Sequence, residues 1–172
     1  MAPRKAVLID RDGTLIKDVP YLKDPSDVEI LPGVSEALQI MLALGYELAV
    51  VSNQSGIARG LLTVRDLLEV TAKLDTRLRD GGIVIRKYYY CPHGAEAGCS
   101  CRKPSPGMVR DALSELGVQP ASSYMVGDKF TDVIAGERAG VTGVLIQPKR
   151  SDKPIGVLNF VDLLEFAQSL EE

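Results

Sequence analysis

Four short segments of this chain carry residue types that could do chemistry together. Asp10-Arg11-Asp12-Gly13-Thr14 follows an apolar run and holds two carboxylates two positions apart. They point the same way where extended geometry persists, and Gly13 then permits a sharp turn. Ser52-Asn53-Gln54-Ser55-Gly56 follows a second apolar run and offers a hydroxyl and backbone N–H groups suited to a phosphate or another oxyanion. Gly127-Asp128-Lys129-Phe130-Thr131-Asp132 follows a third, and its two acids can hold a divalent cation directly or through water. Lys103 stands just before a proline-started helix. Each segment alone has a plainer explanation: a charged Asp-Gly turn, a polar turn, an acidic helix start, a solvated surface lysine. Their conjunction is far more specific than any member.

Together they meet the demands of phosphoryl transfer. A phosphate ester is an anion that repels a carboxylate nucleophile. Mg²⁺ and a lysine remove that repulsion and stabilise the phosphoryl oxygens. A carboxylate can then attack phosphorus to give an aspartyl phosphate, while a second carboxyl group protonates the leaving oxygen and later activates water. Hard oxygen ligands favour Mg²⁺ over softer metals.

A second set of residues is unusual for its placement. The chain has three Cys and one His, and all four fall in Cys91-x-His93-x5-Cys99-x-Cys101. A Cys3His set is what tetrahedral Zn²⁺ requires, so a structural zinc is expected. The alternatives are buried free thiols or adventitious ones. An odd cysteine count without a secretion signal argues against a disulfide framework. The zinc would stiffen a loop containing Gly94 and Gly98, which has no core of its own, and would deliver Arg102 and Lys103 directly after its last ligand.

These groups need a scaffold to bring them together. Ala6–Ile9, Leu48–Val51, Ile83–Tyr90, Tyr124–Val126 and Val144–Ile146 read as strands covered on both faces. Val34, Ala37, Leu38, Met41 and Leu42 repeat at helical spacing, with Gly45 at the C-terminal cap. Thr63 and Asp66 open a second helix that continues through Leu67, Val70, Leu74 and Leu78. Ser105-Pro106 starts a third, ending at Gly117; Thr131 caps a fourth, to Ala139; Asn159 and Asp162 open a last one, to Leu170. This alternation predicts an α/β fold: a Rossmann-like three-layer α/β/α arrangement with a mostly parallel sheet, in which ligands bind beyond the carboxyl ends of the strands.

The 172 residues read as one domain, 1–172, with the zinc loop at 91–101. Lys plus Arg is 20 against 23 Asp plus Glu, a net charge of −3, which argues against a nucleic-acid coat or a polybasic membrane anchor. No uncharged stretch reaches the ~18 residues of a membrane span. The apolar run Ala6–Ile9 is too short for a signal peptide, so a cytoplasmic protein is expected. No heptad seam is visible, and a monomer is expected.

The four motifs, in this order, resemble those of the haloacid-dehalogenase-like phosphatase superfamily. Asp10 to Thr14 match its Asp-x-Asp-Gly-Thr motif, Ser52 its second-motif hydroxyl, Lys103 its lysine, and Gly127, Asp128 and Asp132 its Gly-Asp-x-x-x-Asp. The resemblance implies Asp10 as nucleophile and Mg²⁺ ligand, Asp12 as general acid/base and carbonyl ligand, and Asp128 as the third protein ligand. It implies Ser52 and Lys103 as holders of the phosphoryl group, with Asp132 behind them. Cys-x-His…Cys-x-Cys-Arg-Lys-Pro with Ser-Asn-Gln-Ser-Gly-Ile-Ala-Arg-Gly at 52–60 looks like the heptose bisphosphate phosphatases. That group implies removal of the 7-phosphate of D-glycero-D-manno-heptose 1,7-bisphosphate; the related histidinol-phosphate phosphatases are the alternative. By the same resemblance the substrate touches Asp10, Arg11 and Asp12; Asp18, Val19, Pro20 and Tyr21; Ser52, Asn53, Gln54 and Ser55; and Arg102, Lys103 and Lys129. Arg102 is expected on the second phosphate, since a guanidinium fork matches phosphate oxygens. Residues 18–21 read Asp-Val-Pro-Tyr, where the heptose group favours a His-Gly-Tyr-like segment. No stretch has room for a cap domain, so an open site is expected.

Overall fold

Apolar runs that keep no polar face must be covered on both sides, and this chain does so with one sheet between two helical layers. The computed structural model describes residues 4–148 and 156–171. Strands β1 (Lys5–Ile9), β2 (Tyr46–Asn53), β3 (Lys87–Cys91), β4 (Tyr124–Gly127), β5 (Thr142–Ile146) and β6 (Leu158–Phe160) form one sheet in the order β3-β2-β1-β4-β5-β6. Every pairing is parallel. The alternation along β1 shows both coverings. Val7 and Ile9 join one core with helices α1 (Val34–Ala43), α2 (Val64–Asp80) and α5 (Leu163–Ser169). Ala6 and Leu8 join the other with α3 (Gly107–Leu116) and α4 (Phe130–Ala139).

The helix starts follow local chemistry. Asp66 N–H donates to Thr63 Oγ1 at 3.1 Å, and Thr63 N–H donates to Asp66 Oδ2 at 2.7 Å, closing the expected capping box on α2. The α2 positions Leu67, Val70, Leu74 and Leu78 are all buried.

Several boundaries differ from expectation. The sheet has a sixth strand, β6, which contains Asn159; Asp162 alone caps α5. The third strand begins at Lys87. Ile83 and Ile85 are buried against α2 but precede the ladder, because Gly81 and Gly82 first turn the chain back from the helix end. Pro106 occupies the cap of α3, and the helix proper starts at Gly107. The cap of α4 is Lys129, two residues ahead of the expected Thr131, and its N–H donates to Asp132 Oδ2 at 3.0 Å. Residues 10–33 and 54–63, which link β1 to α1 and β2 to α2, contain no helix beyond the one turn at Pro25–Asp27. They edge the site and form no separate layer over it. Among the described residues no helix is long and apolar enough to cross a membrane.

Candidate active site

β1 has β2 on one side and β4 on the other, so the chain reverses its direction of travel across the sheet at β1. A crevice opens at such a point beyond the carboxyl ends. Asp10 is the first residue past β1, and its N–H donates to Val126 O of β4 at 2.9 Å. Asp128 follows β4 and Ser52 is the last residue but one of β2, so three of the motifs meet at the carboxyl ends of three neighbouring strands.

Lys103 is the hub. It is 3% exposed, and its ammonium donates to Asp10 Oδ1 at 2.9 Å, Asp132 Oδ1 at 2.6 Å and Val51 O at 2.6 Å. Three protons thus have three acceptors. Burial works against the charged form, but Asp10 and then Asp132 outweigh it and hold the Lys103 pKa above its ordinary value. Lys103 is positioned by its backbone: Asn53 Nδ2 donates to Lys103 O, and Lys103 N–H donates to Asn53 Oδ1, both at 3.0 Å.

Ligand oxygens of Asp10, Asp128 and Asp132 lie within 4.8 Å of one another. Their partners separate their roles. Both Asp132 oxygens are occupied, one by Lys103 and one by Lys129 N–H. Asp128 Oδ1 is buried with no hydrogen-bond partner. Burial, and then the Asp10 charge, push Asp128 up to about 7. A buried, unpaired carboxylate oxygen beside a second carboxylate is the arrangement a hard divalent cation relieves. The turn is shaped around it. Gly13 has φ +82°, and a Cβ there would sit 2.4 Å from Asp128 Oδ2. A Cβ on Gly127 would sit 2.1 Å from Asp132 Oδ2. Each glycine of the two motifs is therefore where a carboxylate must pass.

Asp12 is held by a different set of partners. Arg11 Nε donates to its Oδ1 at 3.0 Å, Arg11 Nη2 to its Oδ2 at 3.0 Å, and Gln54 Nε2 to its Oδ2 at 2.8 Å. Burial raises the Asp12 pKa, with Arg11 opposing and Asp10 reinforcing, and the net direction is upward. Gln54 also donates to Ser52 Oγ at 3.0 Å.

Two cavities meet at Asp12. One of about 270 Å³ is bordered by Asp10, Ser52, Ser55, Arg102, Lys103 and Lys129. Its neighbour, about 320 Å³, is bordered by Asp18, Val19, Pro20, Tyr21, Gln54 and Lys129. All the residues expected to catalyse or to touch substrate border this double cavity, with two distinctions. Arg11 is 1% exposed, and its guanidinium supports Asp12 from beneath. Asn53 borders both cavities, but its side-chain amide is engaged by Lys103. Thr131 borders the first cavity and was expected only as a helix cap. Its place within the fourth motif was the available signal.

The Cys3His segment closes on itself. Cys91 Sγ lies 3.5 Å from His93 Nδ1, 3.7 Å from Cys99 Sγ and 3.1 Å from Cys101 Sγ. Cys101 Sγ is 3.2 Å from His93 Nδ1 and 3.5 Å from Cys99 Sγ. The cysteines are free. Four soft donors at near-equal separations around one point suit a tetrahedral metal. Burial, then Cys101, push the Cys91 thiol up to about 12 without one. Arg102 Nη1 donates to His93 O at 3.1 Å, so the loop carries the arginine that borders the first cavity.

Comparison with known proteins agrees with this geometry. A family model described as HAD-hydrolase-like matches residues 100–153. The D-glycero-beta-D-manno-heptose-1,7-bisphosphate 7-phosphatase of Pasteurella multocida is 41% identical over 158 residues, covering 88% of this chain and 85% of its own. The enzyme of that name from Haemophilus ducreyi is 42% identical, covering 95% of this chain and 98% of its own. The crystal structure of D,D-heptose 1,7-bisphosphate phosphatase from B. bronchiseptica, complexed with magnesium and phosphate, superposes with a TM-score of 0.88 at 32% identity over 98% of both chains.

Proposed function

The chain belongs to the haloacid-dehalogenase-like phosphatases and, within them, to the heptose 1,7-bisphosphate phosphatase family, and from that premise we propose that it hydrolyses the 7-phosphate of D-glycero-D-manno-heptose 1,7-bisphosphate. The observation that carries the reading is the convergence of Asp10, Asp128 and Lys103 at one end of a double cavity, with Asp12 where the two halves meet.

Asp10 is the nucleophile, and its carboxylate oxygen bonds to phosphorus. Lys103 keeps its charge and offsets that of the incoming phosphoryl group. Asp12, with its raised pKa, gives a proton to the leaving oxygen and then takes one from the water that opens the aspartyl phosphate. Ser52 donates to a phosphoryl oxygen. Asp10, Asp128 and the Asp12 carbonyl would hold Mg²⁺, with Asp128 Oδ1 left for it by the fold. When bound, Mg²⁺ supplies charge neutralisation at the phosphoryl oxygens.

Residues 18–21 and Gln54 line the half that receives the sugar. Arg102 and Lys129 meet the second phosphate. Cys91, His93, Cys99 and Cys101 would hold a structural Zn²⁺, whose chemistry is the ordering of the loop that presents Arg102 and Lys103. On this reading the chain is one domain over residues 1–172, acts as a cytoplasmic monomer and serves nucleotide-activated heptose synthesis.

The test is phosphate release with Mg²⁺ from both anomers of heptose 1,7-bisphosphate, beside histidinol phosphate. We expect a kcat/KM preference of ~100-fold or more for one bisphosphate, about 2.7 kcal/mol of transition-state discrimination. Preference for histidinol phosphate overturns the substrate and keeps the chemistry.

A further inference from the structure

Arg11 is, by volume, the largest fully buried side chain among the described residues. A guanidinium taken out of water is tolerated only when it is paired, and the partner chosen here is Asp12. Nε meets Oδ1 and Nη2 meets Oδ2, each at 3.0 Å. Nη2 also lies 2.9 Å from Oδ1, so two nitrogens hold both oxygens and with them the plane of the carboxyl. Nη1 is buried without a well-formed hydrogen bond, and the guanidinium lies 5.8 Å from the centre of the Tyr90 ring on β3. Tyr90 is anchored in turn. Its hydroxyl shares a 2.8 Å hydrogen bond with Thr71 Oγ1, which donates to Leu67 O of α2 at 2.7 Å. Arg11 also closes its own turn, since its carbonyl accepts Leu15 N–H at 3.0 Å and Ile16 N–H at 3.1 Å.

We infer that Arg11 is a positioning residue for proton transfer at Asp12: its fork sets the plane of the Asp12 carboxyl, and Tyr90 and Thr71 tie that plane to β3 and α2. The inference rests on Asp12 being the proton donor of the proposed reaction. In that step an Asp10 oxygen bonds to phosphorus and the bond from phosphorus to the sugar oxygen breaks. The leaving oxygen keeps the electron pair and takes the Asp12 proton, and Asp12 becomes the carboxylate the fork holds. The Arg11 guanidinium is spent on Asp12, so it acts through that carboxyl. A merely structural ion pair would have the same distances, so the test must read proton donation separately from folding.

Leaving-group dependence does this. p-Nitrophenolate departs without being protonated, whereas a sugar alkoxide does not. kcat/KM includes only steps up to phosphoryl transfer, so Asp12's later work on water does not enter it. Arg11→Lys keeps the buried charge and removes the fork. We expect kcat/KM for the sugar bisphosphate to fall about 100-fold, within the range general acid catalysis contributes, while that for p-nitrophenyl phosphate changes less than about threefold. Tyr90→Phe removes the outer hydroxyl and leaves Arg11 in place; the same selective loss is expected, about threefold, and it decides the question where Arg11→Lys does not fold. Equal losses on both substrates, or no loss on either, overturn the inference. Asp12→Asn, assayed alongside, must show the selective loss at its largest. Where it does not, the role of Asp12 itself fails, and that failure is distinguishable because it appears with Arg11 intact.

Discussion

Lys103 reaches Asp10, Asp132 and the Val51 carbonyl at once, and this saturation explains why a lysine can be buried at the centre of a site that must bind an anion. Its charge is balanced before substrate arrives, and the phosphoryl group enters a region already shaped for it. On the proposed roles, removing the nucleophile Asp10 should end turnover while leaving the scaffold intact. Asp10→Asn is expected to lower kcat by at least about 10³-fold, with an unchanged circular dichroism spectrum as the check on folding. Asp128 supports a prediction about pH. Burial and Asp10 raise its folded-state pKa to about 7, above the unfolded value of 3.8. Between those values the folded state binds more protons than the unfolded one, so stability falls as pH rises from about 4 to about 7. Without Mg²⁺, Tm should decline over that window. Asp128→Asn should flatten the decline, and added Mg²⁺ should reverse it near pH 7. A Tm profile in Mg²⁺-free buffer that is identical in the two proteins would contradict this account of Asp128.

The connections at the carboxyl end of the sheet do the positioning. Asn53, at the end of β2, grips both the N–H and the carbonyl of Lys103, so the Cys3His loop and the sheet meet at a single residue. Arg102 is attached to the same loop through His93 O. The loop at 91–101 has little core beneath it: Cys91 is buried, whereas Ala95, Glu96 and Ala97 are exposed. A zinc ion would supply the order that packing does not. Stripping zinc with a chelator, then restoring Mg²⁺, should lower Tm and raise KM more than it lowers kcat, because the catalytic carboxylates lie outside the loop. Unchanged Tm and unchanged kinetics after verified zinc removal would show that the loop orders itself. The element boundaries tell a related story. β6 and the late start of β3 were not legible, since a three-residue strand such as Leu158–Phe160 carries no periodicity of its own and pairs only because β5 is already there.

At the scale of the whole molecule, the double cavity has walls from both linking segments and from Arg102 and Lys103, which follow the Cys3His loop, and among the described residues no separate layer lies above it. Such a site selects its substrate through its rim, and Arg102 is a cation of that rim not committed to a carboxylate. Arg102→Ala should reduce kcat/KM for a sugar bisphosphate by about 10- to 100-fold and leave a monophosphate of similar size within about threefold. Equal losses on both substrates would place Arg102 on the transferred phosphoryl group instead.

Much of this was readable from residue order alone. The four motifs, the Cys3His spacing and the alternation of strand and helix are local signals. Each follows from backbone geometry or ligand chemistry within a dozen residues. The apolar runs showed that the sheet is covered on both faces, and parallel pairing placed the motifs at one end. What only the tertiary structure decided is how the polar side chains share partners. Arg11 and Asn53 were both expected to touch substrate. Both border the cavity, and the structure adds that the Arg11 side chain is committed to Asp12 and that of Asn53 to the backbone of Lys103, fifty positions away in sequence. By spacing alone Asp128 and Asp132 are alike and only the resemblance sets Asp132 behind; the structure supplies the physical difference, since Asp132 has both oxygens bonded and Asp128 is left with a buried oxygen free. The reason is physical. A buried polar group is satisfied by whatever the fold brings within about 3 Å, and that distance is set by strand register and crossover geometry, which residue type does not encode.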